Sequence, residues 1–280
     1  MSDISCMSFN VLSWDTENGG FDPPESRLGY VLKTIEKYDP DLLGVQEACE
    51  LHSHAAAEFE WYHTLIAAMD KRGWAAAGIK EQPGYEMKSV TIAHGLIIFY
   101  KKERFTLQES GCMPYPIDRK VRYFQWVKLT DNRFHRNIIM TNTHLSITQR
   151  VCGVASSPAT AAVRATEAAI LADFWYKNCD EHTALFATGD YNSLPASAAH
   201  EVLQTGVFRP SSLVAEAWDD IGSTYKSRQY HTIDFCYVNP TATKIDEYRV
   251  DTTRFAALSD SPNTGLASDH RAIITRATYR

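Results

Sequence analysis

The chain lacks the features that mark several whole classes of protein. Its six cysteines are scattered, with no CxxC pair and no metal-finger spacing, which argues against a zinc finger or a disulfide scaffold. No apolar run approaches membrane-spanning length, and the first residues have neither a basic region nor a sustained apolar stretch. There is no short-period repeat and no low-complexity tract. These absences favour a folded cytoplasmic protein with reduced thiols.

A basic excess is missing as well. The 280 residues carry a formal net charge of -6, which disfavours extensive non-specific binding to long duplex DNA. Hydrophobic residues make up 44% of the chain and charged residues 22%, values that are ordinary for a folded protein and exclude disorder as the main theme. An acidic body favours a short anionic substrate held in a local site over a long duplex.

Strand-like and helical segments alternate from start to finish. The patterns predict strands over residues 4–11, 42–45, 95–100, 121–129, 137–145, 183–188, 233–238 and 272–275. They predict helices over residues 26–37, 51–72, 159–176 and 197–203. Helices between strands throughout indicate one α/β domain over residues 1–280, with helices packed on sheet faces. Residues 16–25 and 145–158 are loop-like and are candidates for the rim of a cleft.

Polar side chains stand at the ends of the predicted strands. In LFATGDYNSLP (185–195) an apolar run ends in Asp190 and Asn192, which share a face because they lie two positions apart. The same pattern recurs at five other places, namely Asn10 in FNV, Glu47 in GVQE, His144 in NTHL, Asp234 in TIDF, and Asp269 with His270 in SDH. Each alone is ordinarily a turn former, a helix cap or an interior residue. Six such ends together indicate loops that converge on one cleft.

The chemistry of this set is consistent. Carboxylate and amide oxygens are the ligands that magnesium or manganese prefers, and no cysteine joins the set. Histidines beside acids suit phosphate chemistry, in which one group meets anionic oxygens and another protonates a leaving group. The pattern therefore favours Mg²⁺, with Mn²⁺ as a substitute.

The motifs FNVL, VQEA, NTHL, GDYNSLP, IDF and SDH, in this order and spacing, resemble the endonuclease/exonuclease/phosphatase superfamily, the DNase I-like hydrolases. The resemblance runs from Asn10 to His270. The segment from GDYNSLP onward is similar to the branch of nocturnin and carbon-catabolite-repressor-type deadenylases. The resemblance implies a four-layer α/β/β/α sandwich, with two mixed central sheets flanked by helices. One departure is His231 in HTIDF, where many relatives carry arginine.

The resemblance also implies roles for the residues. Glu47 is the expected main metal ligand, helped by Asn10 and Asp269. Asp190 is expected to orient and deprotonate the attacking water, and Asn192 to hold the phosphate or the water.

The remaining expected roles concern the phosphate. By the same resemblance, His270 donates to the phosphoryl oxygen, and Asp234 binds the other ring nitrogen of His270. His144 is expected to contact the phosphate from the opposite side. Arg122 lies in a stretch where basic and aromatic residues interleave, and it is a candidate for substrate binding. An amphipathic strand with a charged edge is the plainer interpretation of that stretch.

Three functions are compatible with these motifs. The favoured one is a metal-dependent phosphodiesterase that uses in-line attack by water. Its expected partner is a phosphoester substrate, namely RNA, single-stranded DNA or a small nucleotide, and no membrane insertion is expected. The second is a phosphomonoesterase acting on a nucleotide, inositol or lipid head group. The third is a catalytically silent binding module, which is disfavoured because silent relatives usually lose ligands and the whole set is present here.

Overall fold

The structure is a computed structural model of the chain. It describes residues 2–12, 21–48, 50–52, 61–77, 84–87, 90–93, 95–115, 122–146, 158–204, 208–210, 232–256 and 263–280. Its helices are α1 (Pro24–Tyr38), α2 (Trp61–Asp70), α3 (Pro158–Asn178) and α4 (Ala198–Leu203). No helix in these ranges has the length and apolar character needed to cross a membrane.

The ends of α1 follow from its sequence. Pro24 stands in the first turn, where the missing N–H costs nothing and the fixed φ suits a helix. Asp39 takes a left-handed conformation after the last turn and its backbone N–H donates to the carbonyl of Ile35. The proline that follows it stops the helix.

The first sheet has six strands in the order β14-β15-β1-β2-β7-β4. In that order their bounds are Thr243–Val250, Ile273–Tyr279, Ile4–Asn10, Leu42–Gln46, Ile97–Lys101 and Trp74–Ala77. β1 and β2 run parallel, while the other neighbours run antiparallel, so the sheet is mixed.

The second sheet also has six strands, in the order β12-β13-β11-β10-β9-β8. In that order their bounds are Arg209–Pro210, Asp234–Val238, Ala184–Asp190, Arg136–His144, Arg122–Asp131 and Phe105–Tyr115. Its one parallel pair in the described residues is β10 with β11. A small third sheet contains β3 (Glu50–His52), β6 (Val90–Ala93) and β5 (Gly84–Met87).

Strand alternation sorts the side chains into layers. One set of positions from both large sheets packs face to face, including Ile4, Cys6, Met140, Phe186 and Cys236. The opposite face of the first sheet packs under α1 and α2, and that of the second sheet packs under α3 and α4. The cysteines in these cores are free thiols. The predicted four-layer α/β/β/α sandwich is confirmed.

The layer between the sheets changes from apolar to polar toward one end. There, Gln46 Nε2 donates to Asn142 Oδ1 across the sheets at 2.6 Å, and Asn142 Nδ2 donates back to the carbonyl of Val45 at 2.7 Å. Thr188 Oγ1 also donates to Asn142 Oδ1 at 3.2 Å. All of these groups are buried, so each hydrogen bond replaces one with water, and the two bonds that join Asn142 to Gln46 and Val45 fix the spacing of the two sheets.

Two sequence predictions are corrected here. The predicted helix over residues 51–72 is wrong at its start, because Leu51 and His52 pair with β6, whose residues are some forty positions later in the chain. The helix within that range begins at Trp61. Strands β4, β5, β6, β8, β12 and β14 were not predicted. In β14 buried positions alternate with exposed charged ones, so the strand is amphipathic and lacks an apolar run. His231 and most of the two predicted rim loops lie outside the described residues.

Candidate active site

The candidate site lies at the polar end of the sandwich, where the two parallel strand pairs finish. Asn10 is opposite Gln46 in the first sheet, and Glu47 follows directly. In the second sheet His144 is opposite Asp190, which in turn is opposite Asp234. The carboxyl ends of neighbouring parallel strands share one sheet edge, so each sheet presents its polar residues to the other.

Asn10 joins the two sheets. Its Nδ2 donates to Glu47 Oε1 at 3.0 Å and to Asp190 Oδ2 at 3.1 Å, and lies 3.4 Å from His270 Nε2. Its Oδ1 accepts the backbone N–H of Leu12 at 3.1 Å. The side chain is fully buried, so one amide holds two carboxylates from opposite sheets side by side.

His270 and Asp234 form a buried pair. His270 Nδ1 donates to Asp234 Oδ2 at 2.9 Å, which leaves Nε2 facing Asp190 Oδ2 at 3.7 Å. Burial by itself disfavours a charged ring, but the nearby carboxylates of Asp234, Asp269 and Asp190 outweigh it and raise the pKa of His270 well above its ordinary value. These carboxylates therefore favour the charged ring, in which Nε2–H is a donor.

Asp190 has a strongly raised pKa. Burial, followed by the negative charge of Asp234, raises its pKa to about 7, against the opposing charge of His270. Its Oδ1 accepts the backbone N–H of Asn192 at 2.9 Å, which fixes the orientation of the carboxyl group. A carboxyl with a pKa near neutrality is suited to accept a proton during a reaction.

His144 and Asn192 flank Asp190. His144 Nε2 lies 3.5 Å from Asp190 Oδ2 and 3.9 Å from Glu47 Oε1. Asn192 Nδ2 donates to the carbonyl of Leu145 at 3.0 Å, so this amide joins the segments that follow β10 and β11. Its expected contact with a phosphate or water stays a prediction.

Arg122 lies behind His144. Its Nη1 donates to the carbonyl of His144 at 3.2 Å, and the side chain is only half-buried. A guanidinium at this place keeps positive charge beside the cleft. Its role in substrate binding stays a prediction.

Two groups of three described residues have ligand atoms within 4.8 Å of one another: Glu47, His144 and Asp190, and Asp190, Asp234 and His270. In the second group, the hydrogen bond between His270 and Asp234 already engages one candidate ligand atom of each residue. In the first group Glu47, the expected main ligand, lies beside the Asn10 amide, and its carboxylate is the kind of hard oxygen donor that a divalent cation prefers.

Asp269 belongs to neither of these groups. Its Oδ1 lies 4.0 Å from His270 Nε2 and accepts a hydrogen bond from Ser268 Oγ at 3.3 Å. The carboxyl therefore stands at the edge of the cluster, on the side of the first sheet. Its role as a metal ligand stays a prediction.

Backbone strain is concentrated at this site. Three of the five described non-glycine residues with positive φ surround it: Leu12 at 45°, Glu47 at 60° and Asn192 at 47°. Residues other than glycine rarely adopt positive φ, and such strain persists only where the surrounding structure enforces it. The segments that carry Asn10, Glu47 and Asp190 are thus held in place by their neighbours.

Sequence reasoning missed three charged residues that support these segments: Arg27 of α1, and Arg164 and Glu167 of α3. All three are buried. A signal for them does exist, because each lies on the apolar stripe of its helix, Arg27 four residues before Val31 and Arg164 four before Ala168. A charged residue on a buried stripe near the start of a helix points to a specific partner.

The geometry agrees with comparisons to known proteins. The model of the endonuclease/exonuclease/phosphatase family matches residues 7–270. A similar solved structure is an endonuclease/exonuclease/phosphatase from Bacteroides vulgatus, with a TM-score of 0.76 and 17% identity over 100% of both chains. Another is a mannosyl-6-phosphatase of Bacteroides thetaiotaomicron, with a TM-score of 0.74 and 15% identity over 99% of this chain and 100% of that one.

A third is the catalytic domain of human nocturnin with a bound sulfate anion, with a TM-score of 0.73 and 16% identity over 100% of this chain and 94% of that one. A search of curated proteins found no match. At these identities the solved structures support the fold, while the family match covers nearly the whole chain. The chain belongs to the endonuclease/exonuclease/phosphatase family and is a phosphoester-hydrolysing enzyme.

Proposed function

We propose that this enzyme is a Mg²⁺-dependent phosphodiesterase that cleaves single-stranded nucleic acid or a small nucleotide by in-line attack of water. The contact of Asn10 with two carboxyl groups supports the proposal most strongly. Asn10 brings Glu47 of one sheet and Asp190 of the other to a single amide, within 3.1 Å of each. The proposal assigns cation binding to Glu47 and the role of base to Asp190, and this contact with one amide supports it because it brings the two carboxyl groups side by side.

The cation would be held by Glu47 and Asn10 from the first sheet, with Asp269 at its edge. In the present arrangement Asn10 Nδ2 donates to both carboxylates and thereby sets the position at which Glu47 would meet the cation. When bound, the cation would supply positive charge that offsets the charge of the phosphate and of the departing oxygen. The hard oxygen donors are those that Mg²⁺ prefers.

The chain's own residues supply the proton chemistry. Asp190, whose pKa is about 7, accepts a proton from the attacking water. His270 donates from Nε2 to a phosphoryl oxygen, and Asp234 holds the opposite ring nitrogen at 2.9 Å so that the ring keeps this direction. His144 contacts the phosphate from the other side of Asp190.

The balance of charge favours a diester over a monoester. The cleft carries four carboxyl groups, on Glu47, Asp190, Asp234 and Asp269, of which one is paired with His270. A phosphomonoester carries close to two negative charges at pH 7, whereas a diester carries one. The singly charged substrate is repelled less by this acidic cluster.

A phosphomonoesterase is the second candidate. The similarity to a mannosyl-6-phosphatase favours it, since that protein matches this chain over nearly its whole length. In that case Arg122 would balance the additional charge of the substrate.

A substrate panel tests the proposal. It contains poly(A) RNA, single-stranded DNA, bis-nitrophenyl phosphate, mononitrophenyl phosphate and mannose 6-phosphate, each with Mg²⁺ and with EDTA. We expect Mg²⁺-dependent cleavage of diesters, with monoesters inert. Asp190→Asn should lower the rate by about 10²-fold or more, whereas Asp173→Asn on the exposed face of α3 serves as the matched control. Cleavage of monoesters alone would support the second candidate, and turnover unchanged by EDTA would refute the metal dependence.

A further inference from the structure

Each flanking helix layer sends one buried arginine to the strand ends that form the site. Arg27 comes from α1, over the first sheet, and Arg164 comes from α3, over the second sheet. Both side chains are at least nine-tenths buried, so each guanidinium has lost its hydration and depends on protein partners.

Arg27 binds backbone on both sides of the predicted cation ligands. Its Nη2 donates to the carbonyls of Val11 and Leu12 at 2.5 Å each. Its Nε donates to the carbonyl of Ala267 at 3.2 Å. Val11 and Leu12 directly follow Asn10, and Ala267 lies two residues before Asp269. One planar group therefore joins the two segments that carry these residues.

The strained backbone beside Asn10 depends on this contact. Leu12 has a φ of 45°, and its N–H donates to Asn10 Oδ1. The carbonyl of the same residue accepts from Arg27. The guanidinium thus secures the turn that sets the rotation of the Asn10 amide.

The positive charge of Arg27 and its hydrogen bonds have opposite effects on cation affinity. Burial lowers its pKa to about 10, while the carboxylates of Asp269, Glu47 and Asp22 favour its charged form, so it is positive at neutral pH. A positive charge near Glu47 repels a cation, whereas an ordered set of ligands attracts one. The sign of the change in cation affinity on removal of the side chain therefore shows which effect is larger, because the two act in opposite directions.

Arg164 makes the equivalent contacts on the other sheet. Its Nε donates to Ser193 Oγ at 2.9 Å and its Nη1 to the carbonyl of Ser146 at 3.3 Å. The backbone N–H and the hydroxyl of Ser146 also donate to the carboxylate of Glu167, at 2.8 Å and 2.5 Å. Ser146 lies two residues after His144, and Ser193 directly follows Asn192.

We infer that Arg27 and Arg164 are positioning residues with separate tasks, Arg27 for the cation ligands and Arg164 for the groups that face the phosphate and the water. This inference rests on the proposed function of the same site. Neither residue contacts the substrate in this scheme. Each acts through the backbone or hydroxyl groups it binds.

The experiment compares cation affinity with turnover in matched variants. Mn²⁺ affinity is measured by calorimetry without substrate, and kcat and KM are measured with bis-nitrophenyl phosphate. The variants are Arg27→Met, Arg27→Lys, Arg164→Met and Arg164→Lys. Arg104→Met is the control, because Arg104 is an arginine whose side chain is only 10% exposed and is paired with Asp41 and Asp131 among the strand connections away from the site.

For Arg27→Met and Arg27→Lys we expect Mn²⁺ binding weaker by about 10- to 100-fold, the usual effect of losing a group that orients metal ligands. For the Arg164 variants we expect unchanged Mn²⁺ affinity, with kcat lower by about 10-fold or more. Arg104→Met should lose thermal stability without a change in Mn²⁺ affinity. Circular dichroism establishes folding, and Arg27→Lys decides the outcome if Arg27→Met does not fold.

Several results would overturn the inference. Tighter Mn²⁺ binding by Arg27→Met would show that charge outweighs positioning. Equal loss of Mn²⁺ affinity in the Arg27 and Arg164 variants would remove the division of tasks. Equal loss in Arg104→Met would assign the effect to general destabilisation. Wild-type protein that binds Mn²⁺ but does not hydrolyse bis-nitrophenyl phosphate would refute the proposed function, while calorimetry would still support the role of Arg27 if only its variants bound Mn²⁺ more weakly, and would overturn that role if they did not.

Discussion

Gly44 offers a direct test of how the spacing of the two sheets controls the site. It lies in β2, and an added Cβ would stand 2.0 Å from Thr188 Oγ1, 2.9 Å from Thr188 Cβ and 2.9 Å from Asn142 Oδ1. Ordinary contacts begin at 3.4 Å, so the facing strands would have to separate by roughly 1 Å. Glu47 follows Gly44 by three residues, and Asp190 follows Thr188 by two.

The magnitude follows from these contacts. Overpacking of a well-filled interior costs about 1–3 kcal/mol. Loss of the bonds from Thr188 Oγ1 to Thr141 O and Asn142 Oδ1, both 3.2 Å, adds about 1 kcal/mol. We expect Gly44→Ala to lower the free energy of unfolding by about 2–4 kcal/mol and the rate by about 10²-fold, because a 1 Å displacement in an active site has that effect.

The assay is urea unfolding followed by circular dichroism, with kinetics on bis-nitrophenyl phosphate. Gly29→Ala is the matched control, since a Cβ on Gly29 in α1 meets no atom within 4 Å and alanine favours the helix. The double variant Gly44→Ala/Thr188→Gly removes the two closest Thr188 atoms. It should recover part of the loss, with a coupling of about 1 kcal/mol or more.

The reasoning fails if Gly44→Ala unfolds within about 0.5 kcal/mol of the wild type, the range of an unremarkable surface change. It also fails if the single and double variants are additive. Either result would mean that the sheets tolerate separation at this layer.

Three other perturbations have defined outcomes. Mg²⁺ should raise the melting temperature of the wild type in thermal scans with and without EDTA, and Glu47→Gln should abolish that rise. Arg104→Met should lower the free energy of unfolding at pH 7 by about 3 kcal/mol in urea titrations, because Asp131 remains buried without its partner at 2.6 Å. Burial lowers the pKa of His200 from 6.5 to about 4. Its neutral form therefore stabilises the fold fully above pH 6.5, and that stability is lost as the pH falls toward 4. Relative to His200→Gln, the wild type should lose about 2–3 kcal/mol between pH 7 and pH 4.5.

Each of these predictions has a contrary result. A Mg²⁺-induced rise that survives Glu47→Gln would exclude Glu47 as a main ligand. Arg104→Met with wild-type stability would show that Asp131 is solvated or protonated after the change. A constant difference between wild type and His200→Gln across the pH range would mean that His200 takes up its proton equally in both states.

Much of the site was visible in the sequence because strand ends are local. An apolar run that stops at Asp190 or His144 identifies the end of a buried strand, and alternation then assigns these side chains to one face. The predicted helix over residues 51–72 begins too early in the chain, because the structure of its first residues depends on a distant partner. Leu51 and His52 pair with β6, and no local pattern encodes a partner so far along the chain.

The amino-acid sequence by itself determined the alternation of strands and helices, the polar residues at the strand ends and the family to which they belong. Only the tertiary structure decided which of these residues meet, since the contact of Asn10 with Asp190 joins positions 180 residues apart. The buried arginines, Arg27 and Arg164, likewise gained their meaning only when folding placed them against the strand-end segments. The physical reason is that periodicity sets the face of a side chain, whereas distances between sheets are set by packing across the whole core.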